Sequence, residues 1–181
     1  MHKPCTTCAQ LVHRIGIVCG MSVVVALSAC VDLAGSGAQV EIPARNPTAT
    51  IGAISRFEQA RFDGDWRVQS SAGGAWTLTR FTVSDGGTQW REGTDQGARG
   101  GQLTPRAAGI LQLTYADGTQ RDLWVLWTDP DHHTLALGEP EGRFGFIATR
   151  AGRYRADQVT AAAQVLDFNG YRTREWEKVS Q

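Results

Sequence analysis

Cysteine is scarce in this chain of 181 residues: four occur, at positions 5, 8, 19 and 30, and none follows. A domain built from the later residues therefore has no internal disulfide and depends on its hydrophobic core. Charge imbalance is missing as well. Lys and Arg together number 18, as do Asp and Glu, so nothing points to nucleic acid. There is no Gly-x-Ser-x-Gly elbow to present a nucleophilic serine and no glycine loop to cradle a phosphate. No repeat recurs at solenoid periods. Acidic residues are absent from the first 29 positions, where Lys3 and Arg14 are the only Lys or Arg. The apolar run IGIVCGMSVVVALSA (15–29) is too short for a comfortable bilayer span and has the length of a signal-peptide core.

That run ends in Leu27-Ser28-Ala29-Cys30, which resembles the bacterial lipobox, where small residues precede a cysteine that becomes the acylated N-terminus. The resemblance implies a signal peptide over 1–29 and acyl chains such as palmitate on Cys30. Two or more such chains anchor a protein stably, each buried methylene contributing about 0.8 kcal/mol. Val31, rather than an acid, directly after Cys30 implies the outer membrane, with the protein facing the periplasm. Cys5, Cys8 and Cys19 then fall in the removed segment, and the Cys5/Cys8 spacing lacks any folded partner motif. The mature chain keeps 16 basic and 18 acidic residues, a formal charge of −2. Residues 30–52, rich in Gly, Ala, Pro and Thr, read as a tether, and 53–181 as one folded domain.

Strand signals dominate that domain. After an amphipathic lead-in at 53–64, the spacing predicts strands at 65–71, 76–83, 88–92, 99–104, 109–115, 121–128, 134–138 and 143–149. Turn sequences such as SDGG (84–87) and ADG (116–118) separate them. Connections this short force antiparallel neighbours, and eight in series form a meander able to close into a barrel. The stretch 121–127 is apolar on both faces, so its outer face needs a cover. Residues 155–171 supply one: a helix with Val159, Ala162, Ala163 and Leu166 on one stripe, ending at Asn169-Gly170. A last strand is expected at 171–179.

This order, with Arg-Phe-x-Gly-x-Trp at 61–66 and DPDHHTLALGEPEGRFGFIATR at 129–150, resembles the lipocalin family, especially its bacterial outer-membrane lipoprotein branch. The resemblance covers about residues 53–181. It implies an all-β fold: an eight-stranded antiparallel up-and-down barrel with a C-terminal α-helix outside and a final short strand. It also implies a structural signature of Gly64, Trp66 and Arg150, in which the arginine packs over the Trp at the closed end. His132 stands where the family usually has Tyr, and 72–120 matches only in pattern. The implied activity is binding of a small hydrophobic molecule, such as a fatty acid or lysophospholipid.

Alternation nominates Trp76, Leu78, Trp90, Leu111, Leu113, Tyr115, Leu123, Val125, Phe144 and Phe146 as cavity walls. A one-residue shift in 121–127 would exchange Leu123 and Val125 for Trp124 and Leu126. Arg80 and Arg91 could offer a charged partner to a ligand head group, although a solvent-exposed position is the commoner one for Arg. His132 and His133, with Asp129 and Asp131, allow a loop metal site, but the reading taken is a polar turn with no metal. No cofactor and no catalytic residue is expected, and the oligomeric state stays open. A barrel filled by its own aromatic side chains, or a small barrel enzyme with a titratable pair inside, are the competing readings.

Overall fold

A computed structural model describes residues 43–72, 78–94 and 97–179. Cys30, Trp76 and the whole of 1–42 lie outside the described residues. Eight strands follow one another by short connections: β1 (Gly64–Ala72), β2 (Arg80–Ser84), β3 (Gln89–Thr94), β4 (Gly97–Ala107), β5 (Ile110–Tyr115), β6 (Gln120–Thr128), β7 (Thr134–Gly138) and β8 (Gly145–Arg150). Each pairs antiparallel with the next, and β8 and β2 both pair with β1, which closes the barrel. After the barrel come the helix α1 (Ala156–Phe168) and a two-residue strand β9 (Glu177–Lys178).

Period-2 alternation decides what lies inside. Leu111, Leu113 and Tyr115 on β5 are buried, whereas Gln112 and Thr114 between them are half-buried on the outer face. The inner side chains form one continuous cluster, from Phe62 and Trp66 at one end to Leu78 and Phe144 at the other. Fully burying each large apolar side chain is worth about 1.5–3 kcal/mol, so this cluster supplies the stability that no disulfide provides.

A second cluster explains the two-faced apolarity of β6. Leu123 and Val125 point inward, while Leu126, with Trp124 and Trp127 packed against it, joins Ala136 and Ile147 on the outer wall. Alternation thus holds in the register first read, as far as the bulge between Val125 and Trp127. Helix α1 covers this outer patch through Ala162 and Leu166, both fully buried, with Val159 and Ala163 partly so. Asn169 caps the helix, and its Nδ2 donates to the Val165 carbonyl at 2.8 Å.

Three expectations need correction. β2 begins at Arg80 rather than 76. Just before β2, the Thr79 carbonyl accepts from the Val68 N–H at 3.0 Å, and farther along β1 Ser70 and Ser71 pair with β9. The final strand shrinks from 171–179 to Glu177–Lys178. The Asp167 carboxylate accepts from the Thr173 N–H at 3.1 Å and its hydroxyl at 2.7 Å, which curls the chain into a 3-10 turn at Thr173–Glu175. Residues 43–52, expected to be tether, lie along the barrel. Arg45 is 2% exposed, bridges to Tyr171, and donates to the carbonyls of Asn169, Pro140 and Ala49.

Candidate functional site

The closed end is built from the start of β1. Gly64 has φ +135°, and a methyl there would overlap the guanidinium of Arg150, so only glycine serves both the turn and the close approach. Trp66 is 1% exposed and its Nε1–H donates to the Phe62 carbonyl at 2.9 Å. Arg150 lies over the Trp66 ring at 4.5 Å from its centroid, and donates to the backbone carbonyls of His132 (2.7 Å), Asp63 (2.5 Å) and Arg61 (2.5 Å). The cation–π contact and these hydrogen bonds seal the end. The Asp63 carboxylate accepts from Gly86 and Gly87 N–H at 3.0 and 2.6 Å, tying the β2–β3 turn to the same plug.

Above the plug the rings stack. Trp66 and Phe81 lie 6.0 Å apart at 10°, and Phe81 and Trp90 lie 4.2 Å apart at 15°, with Phe146 edge-on to Phe81 at 5.9 Å. Nine of the expected wall residues (Leu78, Trp90, Leu111, Leu113, Tyr115, Leu123, Val125, Phe144 and Phe146) belong to this interior, each no more than 3% exposed. Two open grooves, of about 560 and 650 Å³, are found on the described residues. Their exposed lining residues stand on the outer wall, around Arg67, Arg80 and Arg91 and around Gln89, Gly100 and Gln102. Arg80 and Arg91 therefore face away from the barrel interior, contrary to a role at a ligand head group inside it.

The interior is not wholly apolar. Glu92, two residues after Trp90 and on the same face of β3, is 2% exposed. Its Oε2 accepts from Trp90 Nε1–H at 2.9 Å and from the Tyr115 hydroxyl at 2.8 Å. Burial first, and then the Glu92 carboxylate beside it, push the Tyr115 phenol well above its ordinary pKa, so it stays a neutral donor. Arg99 is the cross-strand partner of Glu92; its guanidinium lies 3.5 Å from the centroid of the Tyr115 ring and reaches Asp117. Arg121, on the inward parity of β6 two residues before Leu123, also acts on Tyr115. A search of the sequence for apolar alternation does not single out these charges. The signal was available: Glu92 shares the parity of Trp90.

The β6–β7 loop brings ligand atoms of Asp129, Asp131 and His133 within 4.8 Å of one another. The Asp129 carboxylate is already committed. Its Oδ1 accepts from His133 and Thr134 N–H at 2.6 and 2.5 Å, and its Oδ2 from Asp131 N–H at 3.2 Å and Gln158 Nε2 at 3.3 Å. This is the chemistry of a braced turn.

No family model and no curated protein sequence matches the chain. Solved structures do. Apocrustacyanin C1 superposes with a TM-score of 0.55 at 20% identity, over 68% of this chain and 79% of that one. Lobster apocrustacyanin A1 gives 0.53 at 17% identity, over 75% and 92%. H1 crustacyanin from Homarus americanus gives 0.52 at 18% identity, over 73% and 90%. The fold is the lipocalin fold. Within it, the loops at 116–119 and 139–144 mark the end opposite the Trp66 plug, and the Glu92–Tyr115–Arg99 group lies towards that end.

Proposed function

We propose that the chain binds one small, largely apolar molecule inside the barrel and is held at the outer membrane by lipid on Cys30. The observation that carries the reading is the buried carboxylate. An interior serving only as filler has no need of Glu92, a polar group whose burial has to be offset by dedicated hydrogen bonds from Trp90 and Tyr115. A mostly apolar lining with a few placed polar groups is the usual composition of a small-molecule site. The ligand's tail would lie among Leu78, Leu113, Leu137, Phe144 and Phe146. An acidic head, such as that of a fatty acid or lysophospholipid, would meet Arg99 and Arg121 beside Glu92. Storage, transport or envelope maintenance follow as roles for such a carrier, without a cofactor or catalysis.

The filled barrel is favoured by a different observation. The Trp66–Phe81–Trp90 stack occupies the closed half, and neither groove on the described residues is an enclosed interior cavity. Native mass spectrometry of the purified chain separates the two readings. Retention of one lipid-sized adduct per chain is expected for the carrier, and a bare polypeptide under all lipid loads for the filled barrel. Cys30→Ala is expected to move the protein into the soluble periplasmic fraction; undiminished membrane association would contradict the anchor.

A further inference from the structure

On the outer wall, β1, β2 and β3 turn three arginines to solvent. Arg67 and Arg80 are direct cross-strand partners, and Arg91 sits on β3 opposite Thr82, two residues along β2 from Arg80. All three are exposed and line the groove of about 560 Å³. Like charges placed directly opposite one another on a sheet destabilise it, so the Arg67–Arg80 pair works against folding. Among the described residues, none of the three guanidinium groups makes an ion pair or hydrogen bond. The ion pairs that form involve Arg99, Arg143, Arg155 and Arg172. Among the described residues that line the groove, Asp65 is the one carboxylate on an outward position, and its Oδ1 accepts from the Thr82 hydroxyl at 2.7 Å.

The floor between the arginines is bare. Gly93 is paired with Arg80, Gly100 with Arg91, and Ala98 with Gly93. Arg80 lies across Gly93 so closely that a methyl at that position would strike its side chain. Small residues thus leave the guanidinium forks at the edge of an open, shallow surface, whose apolar lining at outward positions and rim is limited to Ala98, Ala151 and Val179. Sixteen of the 18 basic residues of this chain are Arg, whose planar fork matches phosphate oxygens two at a time.

We propose that this groove docks on the phosphates of anionic phospholipid headgroups at a membrane surface. Charge complementarity favours such a surface: three exposed arginines stand around a shallow floor of Gly93, Gly100 and Ala98, open enough for a planar array of phosphates to reach all three forks. The inference does not depend on what the barrel binds. It concerns a different face, and it survives if the barrel is filled.

The test uses the full chain carrying Cys30→Ala, so that acyl chains contribute nothing, sedimented with two kinds of vesicle. One is pure phosphatidylcholine; the other contains phosphatidylglycerol. Preference for the second kind is expected, falling as salt rises. Each arginine at an anionic surface is worth about fivefold in partitioning, so R67Q/R80Q/R91Q is expected to lose most of about a hundredfold. Its binding to phosphatidylcholine should stay unchanged, and its thermal midpoint should be equal or higher, because the Arg67–Arg80 repulsion is gone. R153Q/R174Q, which removes two exposed arginines elsewhere, is expected to keep the preference. Equal partitioning of the triple variant and its parent onto phosphatidylglycerol vesicles would overturn the proposal. So would binding to polyglutamate but not to those vesicles, lost in the triple variant, which would assign the groove to an acidic protein.

Discussion

Replacing Arg150 by Lys keeps the positive charge and removes the plane that lies 4.5 Å over Trp66. An ammonium cannot reach the His132, Asp63 and Arg61 carbonyls together as the fork does. R150K is expected to lose about 1–3 kcal/mol in urea unfolding, since hydrogen bonds from charged groups carry that much each. His132 gives a pH-dependent counterpart. It holds φ +56°, its Nδ1 is buried without a hydrogen bond, and burial first, then the Arg61 charge, lower its pKa. The folded state then resists the proton that the unfolded chain takes up near its ordinary pKa of about 6.5. Stability from this source is complete above that pH and declines as pH falls towards the lower folded value. H132N, with a residue that tolerates positive φ, is expected to flatten the decline between about pH 6.5 and 5 in urea midpoints. An unchanged slope would show that other groups cause it.

At the scale of elements, α1 is fastened by few contacts of high quality. Leu166 is fully buried against the outer wall of β6–β8. Leu166→Ala is expected to cost about 2–5 kcal/mol in chemical denaturation, the range of buried leucine truncations. The helix and most strands were legible in advance because their signals are local. The 3.6-residue stripe of α1 and the parity of Leu111, Leu113 and Tyr115 need no knowledge of neighbours. What stayed hidden depends on remote partners. The late start of β2 follows from β1 exchanging β2 for β9 after Val68. The shortened final strand follows from Asp167 capping Thr173 and from Trp176 turning edge-on to Tyr171, with centroids 5.7 Å apart. Tyr171 in turn requires Gly138 and Gly145, where a methyl would overlap its ring or hydroxyl. None of these pairs is adjacent in sequence.

At the scale of the molecule, the barrel has two differently made halves. The half around Trp66 is closed by Arg150 and filled by stacked rings, which makes it a floor. The other half combines Leu113, Leu137 and Phe144 with Glu92, Tyr115 and Arg99, and it is where the proposed ligand would sit. The apolar members of that list were readable from alternation. The polar ones belonged to the same parity pattern, but their meaning rests on a burial that only closure of the barrel creates. The central claim, one apolar ligand inside that half, is tested most directly by quenching with a brominated fatty acid. Bromine quenches tryptophan only at short range, and Trp90 borders the proposed site. Saturating quenching at one ligand per chain, weakened by Phe144→Trp filling the space, is the expected result. Quenching that rises linearly without saturation, identical in the filled variant, would contradict it.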